Sequence, residues 1–452
     1  MLISKIYRLY CIVGILLYVT LFTYWKNSLT FFNVINVLTF LSYVLILYIC
    51  LRNDKLFYTN KNVVLITFLY SLFGVGIYHH LSEYYTGNTF LFSEIDARIY
   101  ETMSNKLFKM RIDEWIPYLR RNKQWSFDDW GTPISMALML NVVPSKLFIN
   151  FCYVIMNAVI AYCLFSIGKN IMSKQYAFMA TLSYTLSSYS IFFMGSGLKE
   201  IIMVFLVTTS IFMLYKYWKH KNILFLIIGS IFSFLILFFR VPVAIFVWVV
   251  YATLLYAGFK SNVIRVFAFL FFLLVFVVAF NVIQYSVDRY ANGGDVTTSF
   301  KYTTTSIFQK LTLYAGALIG PFPQLLQVNQ ELSSKSLFGA GVLFKLMLFL
   351  PFWKGVIYSI RSKEYLVFPI FIFSIMEMIG LAFAFDGLEL RKAMPHVPFF
   401  ILGAFWFIDK YDADADDKIQ QTPYYIMFRQ EFNVSMIIVG LITIIWNTIR
   451  LV

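Results

Sequence analysis

The chain has 452 residues, of which 60% are hydrophobic, 20% aromatic and only 13% charged, and its mean hydropathy is +0.73. Soluble domains carry about 25% charge, so this composition excludes a soluble enzyme, a disordered chain and a peripheral protein with one anchor. The 37 Lys+Arg against 23 Asp+Glu leave a net charge of +14, which in a membrane chain is a topology signal first and a hint of anionic ligands second.

Apolar runs fall at about 7–24, 31–51, 63–82, 146–168, 176–195, 200–215, 222–239, 241–258, 265–284, 337–360, 365–385, 395–408 and 432–449. Each is too long for a strand and reads as a membrane helix. The first follows Lys5 and Arg8 but has no small-residue cleavage site after it, so it reads as a retained span. Cys11, Cys50, Cys152 and Cys163 all lie inside apolar runs, a placement that suits neither a disulfide framework nor a zinc site.

Short-loop charge sets the expected orientation. With the N-terminus in the cytoplasm, Arg52, Lys55 and Lys61 lie inside, followed by Lys169 and Lys174, by Lys216, Lys219 and Lys221, by Lys260 and Arg265, and by Lys354, Arg361 and Lys363. This bias requires that residues 305–320 not cross completely, so that stretch is expected to be re-entrant or interfacial. The expected fold is all-α: about thirteen transmembrane helices with an amphipathic outward loop after the third.

The expected organisation is two N-terminal helices over 1–62, then a transmembrane core over 63–284 that includes the outward loop 83–145. A second outward segment covers 285–336, and further helices over 337–452 enclose an acidic cytoplasmic connector at 409–431. Within 83–145 the pattern predicts a helix from Glu94 to Met110, a break at Pro117, and an interfacial apolar patch from Ile134 to Val143. The Asp409, Asp412, Asp414, Asp416 and Asp417 tract lacks the Gly and terminal Glu of an EF-hand loop and reads as a solvated connector.

The charges that topology does not explain gather on the expected outward face at membrane level. Glu94, Asp96 and Arg98 follow the third span, and Lys199 and Glu200 follow the Gly195-Ser196-Gly197 turn. Arg240 lies in the turn Phe239-Arg240-Val241-Pro242, and Asp386, Glu389, Arg391, Lys392 and His396 fill the turn near 390. A charge at that depth costs roughly 2–3 kcal/mol, so a two-signed cluster points to pairing around a polar cavity, whereas any one of these charges alone suits a headgroup anchor equally well. Glu377 sits mid-span and needs a buried partner or a proton. His79 and His80 diverge on a helix and suit the interface better than a shared metal. Asp128-Asp129 could hold a divalent ion, but a loop acid pair is a weak signal, and no cofactor is expected.

Such a set fits group transfer from a lipid phosphate. Cations would grip the phosphate or diphosphate, and a carboxylate would take a proton from an acceptor hydroxyl. The order Asp96-Ala97-Arg98-Ile99-Tyr100, Trp130-Gly131-Thr132-Pro133, Gly195-Ser196-Gly197-Leu198-Lys199-Glu200, Arg240 and Arg391…Pro395…Pro398 resembles the polytopic glycosyltransferases of the GT-C fold. That group contains the protein mannosyltransferase and lipid A aminoarabinose transferase families. The resemblance covers roughly residues 63–408 and implies a catalytic role for Asp96, with Glu94 as its alternate. It assigns lipid-phosphate binding to Lys199, Arg240 and Arg391; Lys392, His396 and Arg98 are further donor-site candidates, with Glu200 and Asp386 as supporting acids.

Two spans precede the acidic loop where the family has one, and no large soluble C-terminal domain follows. Both departures leave room for the similar O-antigen and capsule repeat-unit polymerases, which join lipid-diphosphate-linked oligosaccharides. The expected partners are a polyprenyl-phosphate or polyprenyl-diphosphate sugar, a glycan or glycolipid acceptor and the bilayer, with no nucleic acid. A flippase or other transporter is the third reading, although such a protein should line the whole crossing with polar groups. The abundance of Lys, Ile, Asn, Phe and Tyr fits an AT-rich bacterial genome, and thus an inner-membrane protein active on its outward face.

Overall fold

The computed structural model describes residues 2–24, 31–52, 54–88, 95–121, 127–258, 339–384, 394–416 and 423–449. Among them every regular element is helical, the economical solution for an apolar chain whose backbone groups must be satisfied within each segment. Helices α1 (Leu2–Tyr24), α2 (Phe31–Arg52) and α3 (Asn60–Thr86) lead into a group of short helices. These are α4 (Ile95–Phe108), α5 (Ile112–Arg121), a 3-10 turn (Phe127–Asp129) and α6 (Gly131–Val142). Next come α7 (Lys146–Ile171), α8 (Lys174–Thr185), α9 (Ser188–Gly195), α10 (Glu200–His220), α11 (Ile223–Leu235) and α12 (Val241–Gly258). Beyond residue 338 lie α13 (Gly339–Met347), α14 (Phe349–Ser362), α15 (Phe368–Ala384), α16 (Val397–Asp416) and α17 (Pro423–Ile449).

Five helices, within α2, α3, α7, α10 and α17, are long and apolar enough to cross a membrane, or six when the bent pair α13–α14 is taken as one span. This is the part of the thirteen-span expectation that the described residues carry; the span expected at 265–284 and the segment 285–336 lie outside them. Exposed apolar side chains run down one face of α17, at Val434, Ile437, Ile438, Leu441 and Ile445, the helical spacing of a stripe turned toward lipid.

The centre of the molecule is the segment expected as a single span over 176–195. Every residue from Tyr176 to Glu200 is buried, and the helix breaks at Leu186–Ser187, where Ser187 is extended with φ −75° and ψ 159°. Broken backbone at membrane depth survives only where other groups take over its hydrogen bonds. Here the Ser187 and Ser190 hydroxyls donate to the Tyr184 carbonyl at 2.6 and 2.9 Å. Asn157 Nδ2 donates to the Thr185 carbonyl at 3.2 Å and Ser42 Oγ to the Leu186 carbonyl at 3.2 Å, and the Tyr43 hydroxyl reaches the Ser183 carbonyl. Neighbouring helices thus replace the lost ladder.

Three more expectations are corrected. The run 337–360 bends by 44° between α13 and α14, because Pro351 in the first turn of α14 has no N–H to return to the Met347 carbonyl. Pro117 does not break the chain but lies inside α5; that turn is exposed, so water can satisfy the carbonyl it releases. The acidic tract is not a solvated connector at its start: α16 runs on to Asp416, and Asp409 accepts from the Ser173 N–H at 2.8 Å and the Ser173 hydroxyl at 2.7 Å. Asp412 accepts from the Leu2 N–H at 3.1 Å and from the Tyr176 hydroxyl.

Those contacts define one end of the bundle. Lys169 meets Asn60 at 2.9 Å and Lys410 meets Glu364 at 3.1 Å at that same end, so the segments that charge bias assigns to one side do converge. At the other end α4, α5 and α6 form a small layer with its own core of Met103, Leu107, Trp115, Leu119 and Ala137. Lys146 at the start of α7 ties Glu101 of α4 to the bundle. All four cysteines are free thiols.

Candidate functional site

The site is built at the end covered by α4 to α6. Asp96 and Tyr100 are four apart in the first turns of α4 and share one of its faces; Asp96 is half-buried and Tyr100 buried, while Arg98 points away and is exposed. The Tyr100 hydroxyl donates to Asp129 Oδ1 at 3.0 Å. Asp129 closes the 3-10 turn, and the Lys199 ammonium donates to the same carboxylate oxygen. Lys199 reaches it because the α9–α10 connection turns at Gly197, whose φ of +67° falls in the left-handed region that glycine adopts without cost. Glu200, next in the chain, is fully buried in the first turn of α10, where a carboxylate complements the helix N-terminus.

Burial first, then the negative charges of Asp129, Glu200 and Asp96, push the Tyr100 phenol well above its ordinary range. The hydroxyl therefore stays protonated and acts as a donor to Asp129.

Arg240 is carried by another turn. Its turn follows a short 3-10 helix (Ile236–Phe238), which presses on the start of α6: a Cβ on Gly131 would lie 2.7 Å from the Phe239 ring and 2.8 Å from the Phe238 carbonyl oxygen. The Phe127 and Phe238 rings also meet, with centroids 4.7 Å apart. The absent side chain at 131 thus lets the turn bearing Arg240 close on the Asp129 loop. Arg240 is half-buried, and the mid-span Glu377 of α15 is buried, its Oε2 without a hydrogen-bond partner among the described residues.

His396 and Lys345 both pack near the Phe400 ring. Both are buried; the Lys345 ammonium sits 5.3 Å from the centroid of the Phe400 ring, and its charge acts on His396. Among the described residues neither ring nitrogen of His396 has a hydrogen-bond partner.

Further buried polar atoms without a partner among the described residues fall on the segments that frame Asp129 and Lys199: Trp130 Nε1, Thr132 Oγ1 and Ser196 Oγ, together with the Tyr153 hydroxyl, on which the Glu200 charge acts. Each such atom costs about 1–3 kcal/mol when left dry. Their hydrogen-bonding capacity is open to another molecule, as is that of buried polar atoms elsewhere in the bundle, such as Thr209 Oγ1 and the Tyr70 hydroxyl.

The structure therefore brings Asp96, Lys199, Glu200 and Arg240 to one end and buries His396. Arg98 is not drawn in. Glu94, Asp386, Arg391 and Lys392 lie outside the described residues. Three residues gained importance only from the coordinates. Tyr100 is signalled by its i, i+4 spacing from Asp96; Lys345 is a lone ammonium in an apolar run, the kind of residue that is functional by default. The sequence offers Asp129 only as half of a divalent-ion pair, and the cation it meets is Lys199; nothing local in the sequence announces that partner. The chain matches no protein-family model and no curated protein sequence, so the chemistry of this end has to be read from its residues.

Proposed function

We propose that this chain is a multi-pass membrane glycosyltransferase that moves a sugar from a polyprenyl-phosphate-linked donor to a glycan or glycolipid acceptor at the acid-lined end. In this reading the chain makes about thirteen crossings, has a GT-C-like core, and sits in a bacterial inner membrane with that end outward. The supporting observation is a two-signed charge cluster on segments that also carry buried, unpartnered hydroxyl and indole donors: a phosphate suits the first and sugar hydroxyls the second.

The acceptor oxygen attacks the anomeric carbon, whose bond to the phosphate oxygen breaks, and the acceptor proton passes to Asp96. Arg240 and Lys199 meet the charge left on the departing lipid phosphate. Asp129 and Tyr100 hold Lys199 in place; an ammonium carries three donors and keeps others for the phosphate. Arg391 and Lys392 are assigned to the same leaving group from the turn before His396.

A diphosphate donor is the second reading, as in a repeat-unit polymerase, and buried Lys345, packed against the Phe400 ring, favours it by adding a cation to the interior. Transport without chemistry gains less support. Some polar side chains within the bundle are bonded to one another, as Asn157 is to Ser71 at 2.9 Å and Thr67 to Thr185 at 3.0 Å.

The test is Asp96→Asn in a transfer assay with radiolabelled polyprenyl-phosphate sugar. Loss of a general base lowers turnover by roughly 10²–10⁴-fold and leaves donor binding intact, and undiminished turnover removes Asp96 from the mechanism.

A further inference from the structure

At the end of the bundle away from the proposed active site, α7 and α10 part to leave a cavity of about 90 Å³. That is about three times the ~30 Å³ share of one water, room for a phosphate group. Lys169, Lys216 and Lys219 stand around it, with Ser166, Asn170 and the Phe212 ring as walls. Lys216 and Lys219 are three apart and share one face of α10. Lys169 is held by Asn60 Oδ1 at 2.9 Å, and Lys216 lies 5.5 Å from the Phe212 ring centroid.

The lysines are placed at a cost. The like charges of Lys216, Lys219 and Lys174 all act on Lys169, and among the described residues none of these four forms an ion pair with a carboxylate. The shortage is local, because nearby acids are spent elsewhere: Glu364 on Lys410, Asp409 on Ser173, Asp412 on Tyr176 and Leu2. A charge bias that sets topology requires lysines on one side of the membrane. It requires neither a cavity between them nor the exclusion of acids from it.

We infer that this groove binds a phosphate anion, carried either by a phospholipid headgroup or by a small soluble phosphate. Lys169 and Lys219 lie within the last turns of α7 and α10, the depth at which headgroups meet spanning helices, and basic pockets between such helices are headgroup sites. The site is separate from the glycosyl-transfer end and does not depend on the activity proposed there.

The experiment uses the full chain in neutral detergent, with native mass spectrometry after addition of phosphatidylglycerol or phosphatidylcholine. In parallel, inorganic phosphate is titrated against thermal unfolding without lipid. Three variants are compared with the wild type: Lys169→Gln/Lys216→Gln/Lys219→Gln; a charge-matched control, Arg52→Gln/Lys61→Gln/Lys363→Gln, at exposed positions of the same end; and Lys216→Gln alone. Wild type and control are expected to retain phosphatidylglycerol over phosphatidylcholine, with about a hundredfold weaker retention in the triple groove variant. Lys216→Gln, which removes no hydrogen bond among the described residues, weakens retention about fivefold and serves if the triple variant does not fold. Stabilisation by inorganic phosphate, lost in the groove variants without lipid preference in the wild type, identifies a soluble phosphate as the ligand. Equal behaviour of groove and control variants, or no effect of either ligand on the wild type, overturns the inference.

Discussion

Removing Lys199 tests the centre of the site directly. Its side chain is 8% exposed and that of Asp129 22%, and the two are joined as an ion pair. Lys199→Gln leaves Asp129 with the Tyr100 hydroxyl in a place that water reaches only in part. Breaking a fully buried pair by deleting one partner costs about 3–5 kcal/mol. The wet fifth of Asp129 sets the estimate at the lower end, about 3 kcal/mol. Asp129→Asn strands the drier ammonium and costs at least as much. The double variant leaves neither charge stranded and is expected to cost no more than either single change, so the coupling is about 3 kcal/mol. The assay is reversible unfolding in mixed micelles by a denaturing detergent, followed by tryptophan fluorescence, with Trp130 beside the pair. Single-variant costs that sum to the double within about 0.5 kcal/mol would show that the two residues do not act on each other, and the geometry of the site would be refuted.

Tyr100→Phe removes a hydrogen bond to a charged group, worth about 1.5–3 kcal/mol, and should destabilise the fold by that amount in the same unfolding assay. Because the folded state raises the Tyr100 pKa, the unfolded chain gives up this proton first, near its ordinary pKa of about 10. The Tyr100 contribution to stability is therefore complete below that pH and is lost as the pH rises through the folded value. The phenolate absorbance gained by the folded protein between about pH 9 and 11 should be the same in wild type and Tyr100→Phe; a drop in the variant would show Tyr100 ionising there. Gly131→Ala places a methyl against Phe239 and the Phe238 carbonyl and is expected to cost about 1–3 kcal/mol by overpacking, with transfer activity falling as the Arg240 turn is displaced; unchanged activity and stability would sever that link. Asn157→Leu withdraws the donor from the Thr185 carbonyl at the α8–α9 break and from Ser71. Stranding the carbonyl should cost about 1–3 kcal/mol, read as a lower midpoint in denaturing detergent.

Composition and period were enough to determine the all-helical membrane class, and alternating loop charge sorted the helix ends. Residues in or beside those segments, from Asn60 and Ser173 to Glu364 and Asp412, meet at one end of the bundle. Asp96, Lys199, Glu200 and Arg240 stand out as charges that topology does not require, and they lie on segments that meet at one end of the bundle. Sequence could not show that Asp129 is the partner of Lys199. They are 70 positions apart, and a pairing at that separation depends on how α4 to α6 fold over the start of α10. Nor could it show the break at Leu186–Ser187. A run with apolar period reads as one helix until donors from α2 and α7, supplied only by packing, make an interrupted backbone affordable. Local pattern fixes what each segment is; which buried groups satisfy one another is decided by the neighbours that tertiary structure supplies.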